Sequence, residues 1–331
     1  MRSMNRSATA CLRRFHTLRP VFAFAGIKDT PKDMNRERRR TCTHAGRPGR
    51  CKEPGKGFPE SRRHKGPWPA GPEVWQDDPE GMSRPPYKLL RRRSLSRLVI
   101  TCEHASRALP AGPALDRASR EMLRCHRGWD IGIWEIVREV SGRLGATAIG
   151  GRYSRLLADL NRSPSDSSLI LPEVDGVRLP FNTRMTPREA GRRVQKIHAP
   201  YHTEIDRQLA RRAVAGVLPF LISFHSFTPY LNPRRRRFDV GVLYQDHQDL
   251  ARALGRSLER CGFSVRYNRP YSGLEGLIYA ASRHGSNHRV PYLELEFNQR
   301  ALDSKGNCRR VARGAARAID ELLQEIPPRR S

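Results

Sequence analysis

Two histidines stand where apolar runs give way to polar residues. Leu98-Val99-Ile100-Thr101-Cys102 runs into Glu103-His104-Ala105-Ser106, and Val217-Leu218-Pro219-Phe220-Leu221-Ile222-Ser223-Phe224 runs into His225-Ser226-Phe227. Apolar runs of this length read as buried strands of an α/β sheet, and ligands of such sheets bind just beyond the carboxyl ends of strands. Two imidazoles and a carboxylate gathered there would hold a three-coordinate zinc with one position left for water. Zinc brings the pKa of that water toward neutrality and polarises a carbonyl, so the chemistry expected is hydrolysis of an amide or ester. A lone histidine at a strand end is ordinarily a hydrogen-bonded core group. Two in equivalent places make the metal reading a real competitor.

The residue types leave the third ligand open. Glu103 neighbours His104, but adjacent side chains on an extended chain point opposite ways. Asp130, in Gly128-Trp129-Asp130-Ile131-Gly132, is the alternative, and Asp also suits a plain helix N-cap. A hydrolase needs a carboxylate that takes a proton from water and passes it to the leaving nitrogen. Glu294 and Glu296 lie in the apolar run from Val290 to Phe297, where ionised groups are costly without partners. Either could be that base, or both could face solvent from an edge strand. Arg155 and Arg162 could clamp a substrate carboxylate through paired N–H donors, although an Arg-rich chain also carries arginine as plain surface charge.

The elements that must position these residues follow from periodicity. Strands are expected at Leu98 to Cys102, Ala146 to Gly150, Tyr153 to Arg162, Val217 to Phe224, Val240 to Tyr244, Phe263 to Tyr267 and Val290 to Phe297. Helices are expected over 131–144, 187–213 (with arginines on its exposed face), 247–260 and Arg309 to Leu323. Pro233-Arg234-Arg235-Arg236-Arg237 reads as an exposed turn. This alternation predicts a three-layer α/β/α sandwich around a mixed, mostly parallel sheet. No internal repeat is visible.

The 331-residue chain carries a net charge of +29, divided almost evenly between the first 95 residues and the rest. Residues 1–95 are basic, rich in Pro and Gly and without sustained periodicity, a composition that buries too little apolar surface to offset ordering entropy. They are expected to form a disordered extension, with 96–326 as the catalytic domain and 327–331 as a tail. Met82 could be the true start, since ordered patterning begins only after it. The seven cysteines are scattered and contain no C-x-x-C pair, which argues for free thiols in a reducing compartment, here the cytoplasm. Cys42, His44, Cys51 and His64 match no zinc spacing. Val21 to Ile27 is too short for a signal peptide core, and no run approaches the length of a membrane span. Nucleic acid is a partner the basic extension could bind, but no aromatic-basic interleaving accompanies the charge.

Several short segments, read together, carry a family likeness. Cys102-Glu103-His104-Ala105-Ser106, Trp129-Asp130-Ile131-Gly132, Ser154-Arg155-Leu156 with Asp159-Leu160-Asn161-Arg162, His225-Ser226-Phe227-Thr228-Pro229, Asn268-Arg269-Pro270-Tyr271-Ser272 and Leu295-Glu296-Phe297 resemble, in order, the motifs of the N-formylglutamate amidohydrolase family. The likeness covers about residues 96–322. It implies a fold related to zinc carboxypeptidases and a metal-dependent amidohydrolase, using zinc or another divalent metal. By the same likeness His104 and His225 are metal ligands, Asp130 moves ahead of Glu103 as the third, and Glu296 takes the general-base role over Glu294. Asn161-Arg162 looks like the pair that grips a substrate carboxylate, with Arg155 nearby. After the glutamate the family often carries an arginine, where this chain has Asn298 and then Arg300; the substrate's identity therefore stays open.

The sequence thus predicts hydrolysis of a small N-acyl amino acid, with N-formyl-L-glutamate as the leading substrate. A cell-wall or peptide amide is a weaker substrate reading. The rival from another class is a catalytically idle hydrolase-like core that binds nucleic acid or another acidic partner.

Overall fold

The computed structural model describes residues 84–91, 95–110, 115–231 and 234–326. Its strands are β1 (Tyr87–Leu90), β2 (Leu98–Cys102), β3 (Thr147–Gly151), β4 (Glu173–Val174), β5 (Val177–Arg178), β6 (Phe220–Phe227), β7 (Tyr230–Leu231), β8 (Arg234–Arg235), β9 (Val240–Leu243), β10 (Val265–Tyr267) and β11 (Tyr292–Asn298). Its α-helices are α1 (Arg117–Arg124), α2 (Ile133–Leu144), α3 (Pro187–Arg193), α4 (Ala199–Val214), α5 (Gln248–Arg260), α6 (Tyr279–His288) and α7 (Lys305–Glu325).

The main sheet has seven strands in the order β1-β3-β2-β6-β11-β9-β10. β1 runs antiparallel to β3 and β11 antiparallel to β9; every other neighbouring pair is parallel. Every residue of β2, β6, β9 and β11 is buried, as continuous apolar runs flanked by helices on both faces require. Period-two alternation divides each strand between two cores. Ile100, Ile222, Phe224, Leu293 and Leu295 join the core shared with α2, α5 and α7. Val99, Leu221 and Tyr292 face the opposite core, with Tyr201, Ile205 and Leu209 of α4 and Ala281 of α6. The expected mixed, mostly parallel three-layer arrangement is observed.

The β6–β11 register sets Glu294 opposite Ser223 and Glu296 opposite His225. All four therefore share the α4 and α6 side of the sheet with Leu221 and Tyr292. β11 lies between β6 and β9, so the edge-strand reading of the two glutamates is excluded.

Three sequence expectations change. Tyr87–Leu90, inside the segment assigned to a disordered extension, is an edge strand paired with β3; residues 1–83, with Val21 to Ile27, Met82 and the Cys42, His44, Cys51 and His64 group, lie outside the described residues, as does the 327–331 tail. The strand expected at Tyr153 to Arg162 is a series of turns. There Asp159 Oδ1 accepts the Asn161 N–H at 2.9 Å and Ser154 Oγ donates to the Gly128 carbonyl at 2.7 Å, side-chain bonds, one local and one to a distant segment, that stand in place of ladder pairing. The long helix over 187–213 is present, but a π-turn at Val194–His198 separates α3 from α4, and Arg212 on α4 is fully buried. Its guanidinium donates to the carbonyls of Ser96 and Gln208 and to Thr147 Oγ1, bonds that make a buried arginine tolerable. Among the described residues, Cys102, Cys125, Cys261 and Cys308 are free, and no helix is long and apolar enough to cross a membrane.

Candidate active site

β2 ends at Cys102, and the turn after it presents Glu103 and His104 on different sides of His225. His104 and His225 rings lie edge to face, 4.7 Å apart between centroids. Asp130 enters from the turn before α2, its backbone N–H donating to the His104 carbonyl at 3.0 Å. Its Oδ2 is 2.9 Å from His225 Nδ1 and 3.6 Å from His104 Nδ1, and it accepts the Ser226 N–H at 3.0 Å. One ligand atom from each of His104, Asp130 and His225 can be chosen so that all lie within 4.8 Å of one another. The imidazoles about 120 positions apart in sequence do converge.

Glu103 does not join that set. Its oxygens accept from Tyr201 Oη at 2.8 Å, Ser223 Oγ at 2.6 Å and His225 Nε2 at 2.9 Å. It therefore stands behind the His225 ring, on the side away from Asp130. Asp159 does the same for the other imidazole, meeting His104 Nε2 at 2.7 Å. A carboxylate on the outer nitrogen of each histidine fixes ring orientation, while the inner Nδ1 of His225 faces Asp130 and that of His104 faces Asp130 and Arg155.

Burial and charge work against each other at each acid. Burial alone would raise the Glu103 carboxyl, but the donors from His225, Ser223 and Tyr201 overcome it and hold it at about 2. Burial is likewise outweighed at Asp130, kept well below the usual carboxylate range by Arg155 and His104, and at Asp159, lowered by His104 and Arg155. Glu294 has a side-chain bond from Asn161, too weak to offset its burial, and Glu296 is held up by burial and the neighbouring carboxylates. Burial, opposed by His225 and reinforced by nearby carboxylates, raises Glu294 to about 7 and pushes Glu296 well above its usual value. The Oε2 atoms of both are buried without a hydrogen-bond partner. Groups held this far from their ordinary titration in one cluster mark a functional site.

The remaining sequence candidates are split. Arg155 reaches into the cluster, bonding His104 and lying 3.6 Å from Asp130 and 3.8 Å from Asp159. The Arg162 side chain is not brought into that cluster and lies 3.9 Å from Asp166. Asn161 is buried between them in sequence and accepts the Ala280 N–H at 2.9 Å, and it lies close enough to Glu294 to lower that acid. Asn298 points elsewhere: it donates to the carbonyls of Arg236 and Phe238 and fastens that segment to β11. Sequence reasoning missed Asp159, Glu103 and Tyr201 as orienting groups. It also missed Tyr271, whose phenol is raised by burial and by Glu296. The motif around Asp159 contained the acid, but only the fold shows which ring it holds.

The donor set fits a divalent ion of the zinc kind. Ligand atoms about 2.1 Å from a tetrahedral zinc lie about 3.4 Å apart, and the 2.9 and 3.6 Å separations from Asp130 bracket that value. The partnerless oxygens of Glu294 and Glu296, beside Glu103, Asp130 and Asp159, further call for positive charge beyond Arg155. Glu103→Gln is expected to weaken metal affinity about 10- to 100-fold by loosening His225. Metal titration with a competing chelator measures it, and unchanged affinity would remove Glu103 from this role.

The model of the family described as FGase, N-formylglutamate amidohydrolase, matches residues 96–302. A gene product of Agrobacterium tumefaciens is similar in structure, with 24% identity, a TM-score of 0.68 and coverage of 73% of this chain and 96% of the other. The N-formylglutamate amidohydrolase of Ralstonia eutropha JMP134 is similar at 17% identity and a TM-score of 0.57, covering 73% of this chain and 99% of the other. No curated protein matches.

Proposed function

The chain belongs to the N-formylglutamate amidohydrolase family and is a hydrolase acting on carbon–nitrogen bonds; from that membership we propose that it cleaves the amide of a small N-acyl amino acid, foremost N-formyl-L-glutamate to formate and glutamate. The observation that carries the reading is the convergence of His104, Asp130 and His225, with Glu296, whose Oε2 has no hydrogen-bond partner, opposite His225 on the adjoining strand. An idle core would have little reason to keep such costly buried groups together.

In this reading His104, Asp130 and His225 hold zinc, which when bound supplies Lewis acidity and a water of lowered pKa. Glu296 takes a proton from the attacking water on its free Oε2 and returns it to the departing nitrogen. Arg155 brings a cation beside the reacting centre, and Arg162 with Asn161 grips the substrate carboxylate. Glu103 and Asp159 keep the imidazoles aligned throughout. The free thiols among the described residues support a cytoplasmic setting.

The test is formate or acid release from a panel of N-formyl and N-acyl amino acids by purified zinc-loaded protein. N-formyl-L-glutamate is expected to give the highest kcat/KM. Full metal loading with no hydrolysis of any member would overturn the proposal.

A further inference from the structure

Behind the turn that carries Asn161 and Arg162 lies a row of histidines that the reaction does not use. His198, at the end of the π-turn, places Nε2 at 2.9 Å from the Arg162 carbonyl. His202, one turn later on α4, places Nε2 at 3.1 Å from the Leu160 carbonyl. The two carbonyls flank Asn161, and the two rings pack with centroids 4.2 Å apart. The row continues away from the site: His202 Nδ1 meets His284 Nε2 at 2.7 Å, and His284 Nδ1 meets Asp206 Oδ1 at 2.6 Å. Asp206 also takes His288 Nε2 at 2.9 Å, and Arg283 lies against both His284 and Asp206.

The direction of these bonds follows from the atoms at the two ends. A backbone carbonyl only accepts, so Nε2 of His198 and of His202 must carry hydrogen. His202 Nδ1 is then the acceptor for His284 Nε2–H. Since Asp206 takes a hydrogen from His284 Nδ1 as well, His284 stands in this row as the imidazolium, the form Asp206 favours although burial lowers its pKa. Asp206 ends the row as an ionised acceptor, its carboxyl held at about 2 because His284, His288 and Arg283 outweigh its partial burial. A row that ends on carbonyls cannot pass a proton to Glu296. It can only hold those carbonyls in place. The Arg162 side chain is itself loosely held, 3.9 Å from Asp166, so its aim depends on the backbone beneath it.

We propose that His202, flanked by His198 and braced by His284 and Asp206, is a positioning residue that fixes the Leu160–Arg162 turn so that Arg162 meets the substrate carboxylate. The proposal rests on the N-acyl amino acid reading above. π-turns recur at functional sites, and this one brings His198 beside His202 on the turn.

The experiment compares kcat and KM for N-formyl-L-glutamate in the zinc-loaded wild type, His202→Leu, His202→Gln, Arg162→Ala and the His202→Leu/Arg162→Ala double variant. Losing the donor to a buried carbonyl is expected to raise KM about tenfold in His202→Leu, with kcat within about twofold. His202→Gln, whose amide can donate where Nε2 does, recovers most of that loss. In the Arg162→Ala background His202→Leu adds less than about twofold, since both changes act on one contact. A fall in kcat at constant KM, or full additivity, overturns the proposal. If His202→Leu does not fold, Asp206→Asn carries the test from a partly exposed site: KM rises about threefold only when Arg162 is present, and an unmoved KM overturns the proposal. A wild type that hydrolyses no N-acyl amino acid sinks the substrate reading as well, whereas one that turns over with a KM indifferent to the row sinks this inference alone.

Discussion

Glu296→Gln is expected to lower kcat by roughly a hundred- to ten-thousandfold, the range lost with a general acid–base group, while zinc content and KM stay near wild type. The change keeps the shape of the side chain and removes its capacity to accept a proton. Steady-state kinetics alongside elemental analysis separates that outcome from loss of metal. Glu294 is the competitor, since its carboxyl lies at about 7, well placed for proton transfer near neutral pH. Surroundings decide between them. Glu294 lies 3.6 Å from His225 Nε2, the nitrogen already bonded to Glu103, and so stands behind the ring. Glu296 is one pleat nearer the carboxyl end, and Arg155 and Asp130 are among its charged neighbours. Glu294→Gln should therefore cost much less turnover. If Glu294→Gln is the dead variant and Glu296→Gln the active one, the assignment is reversed.

The parts of this site that could be read from the chain are those that depend on one strand at a time. His104 and His225 follow apolar runs, and Glu294 and Glu296 share a face by period two, so their placement needed only the pleat. Which strands adjoin was not legible. That β11 lies beside β6, with Glu296 opposite His225, comes from crossovers that no local pattern encodes. α6 escaped for a different reason. It packs through Ala280, Ala281 and Gly285 rather than a stripe of large apolar residues, and Gly285 sits so close to Tyr292 that a Cβ there would lie 2.0 Å from the ring. Small residues chosen for close approach leave no hydrophobic period to detect. β1 was hidden by its length and by the arginines after it, which suit an edge strand as well as a flexible tail. The turns from Ser154 to Arg162 mimic a strand because their leucines are buried, yet side chains rather than a neighbouring strand satisfy the backbone, Asp159 accepting the Asn161 N–H and Asn182 donating to the Leu156 carbonyl. The orienting acids were legible as residues and illegible as roles: Glu103 looked like a rival ligand until its oxygens were found bonded to Tyr201, Ser223 and His225.

Stripping the metal is expected to abolish turnover and to lower the melting temperature in the same step. The stability effect has its own physical cause. An ion that binds only the folded state at a hundred times its Kd contributes about 2.7 kcal/mol, worth about 5–10 °C in a domain of this size. The site makes that contribution necessary, because removing the cation leaves Glu294 and Glu296 buried with partnerless oxygens beside Asp130, Asp159 and Glu103. Their carboxyls must then hold protons or repel one another. Dialysis against a chelator, followed by calorimetry and a formate assay, tests both effects, and added zinc should restore both. Asp130→Ala should reproduce the chelated state without a chelator, since the remaining imidazoles no longer enclose the ion. A chelated protein that melts at the same temperature and keeps its rate, with metal reduced to trace, would mean that the imidazoles and Asp130 are an ion-paired core and that the hydrolytic water is activated by carboxylates alone.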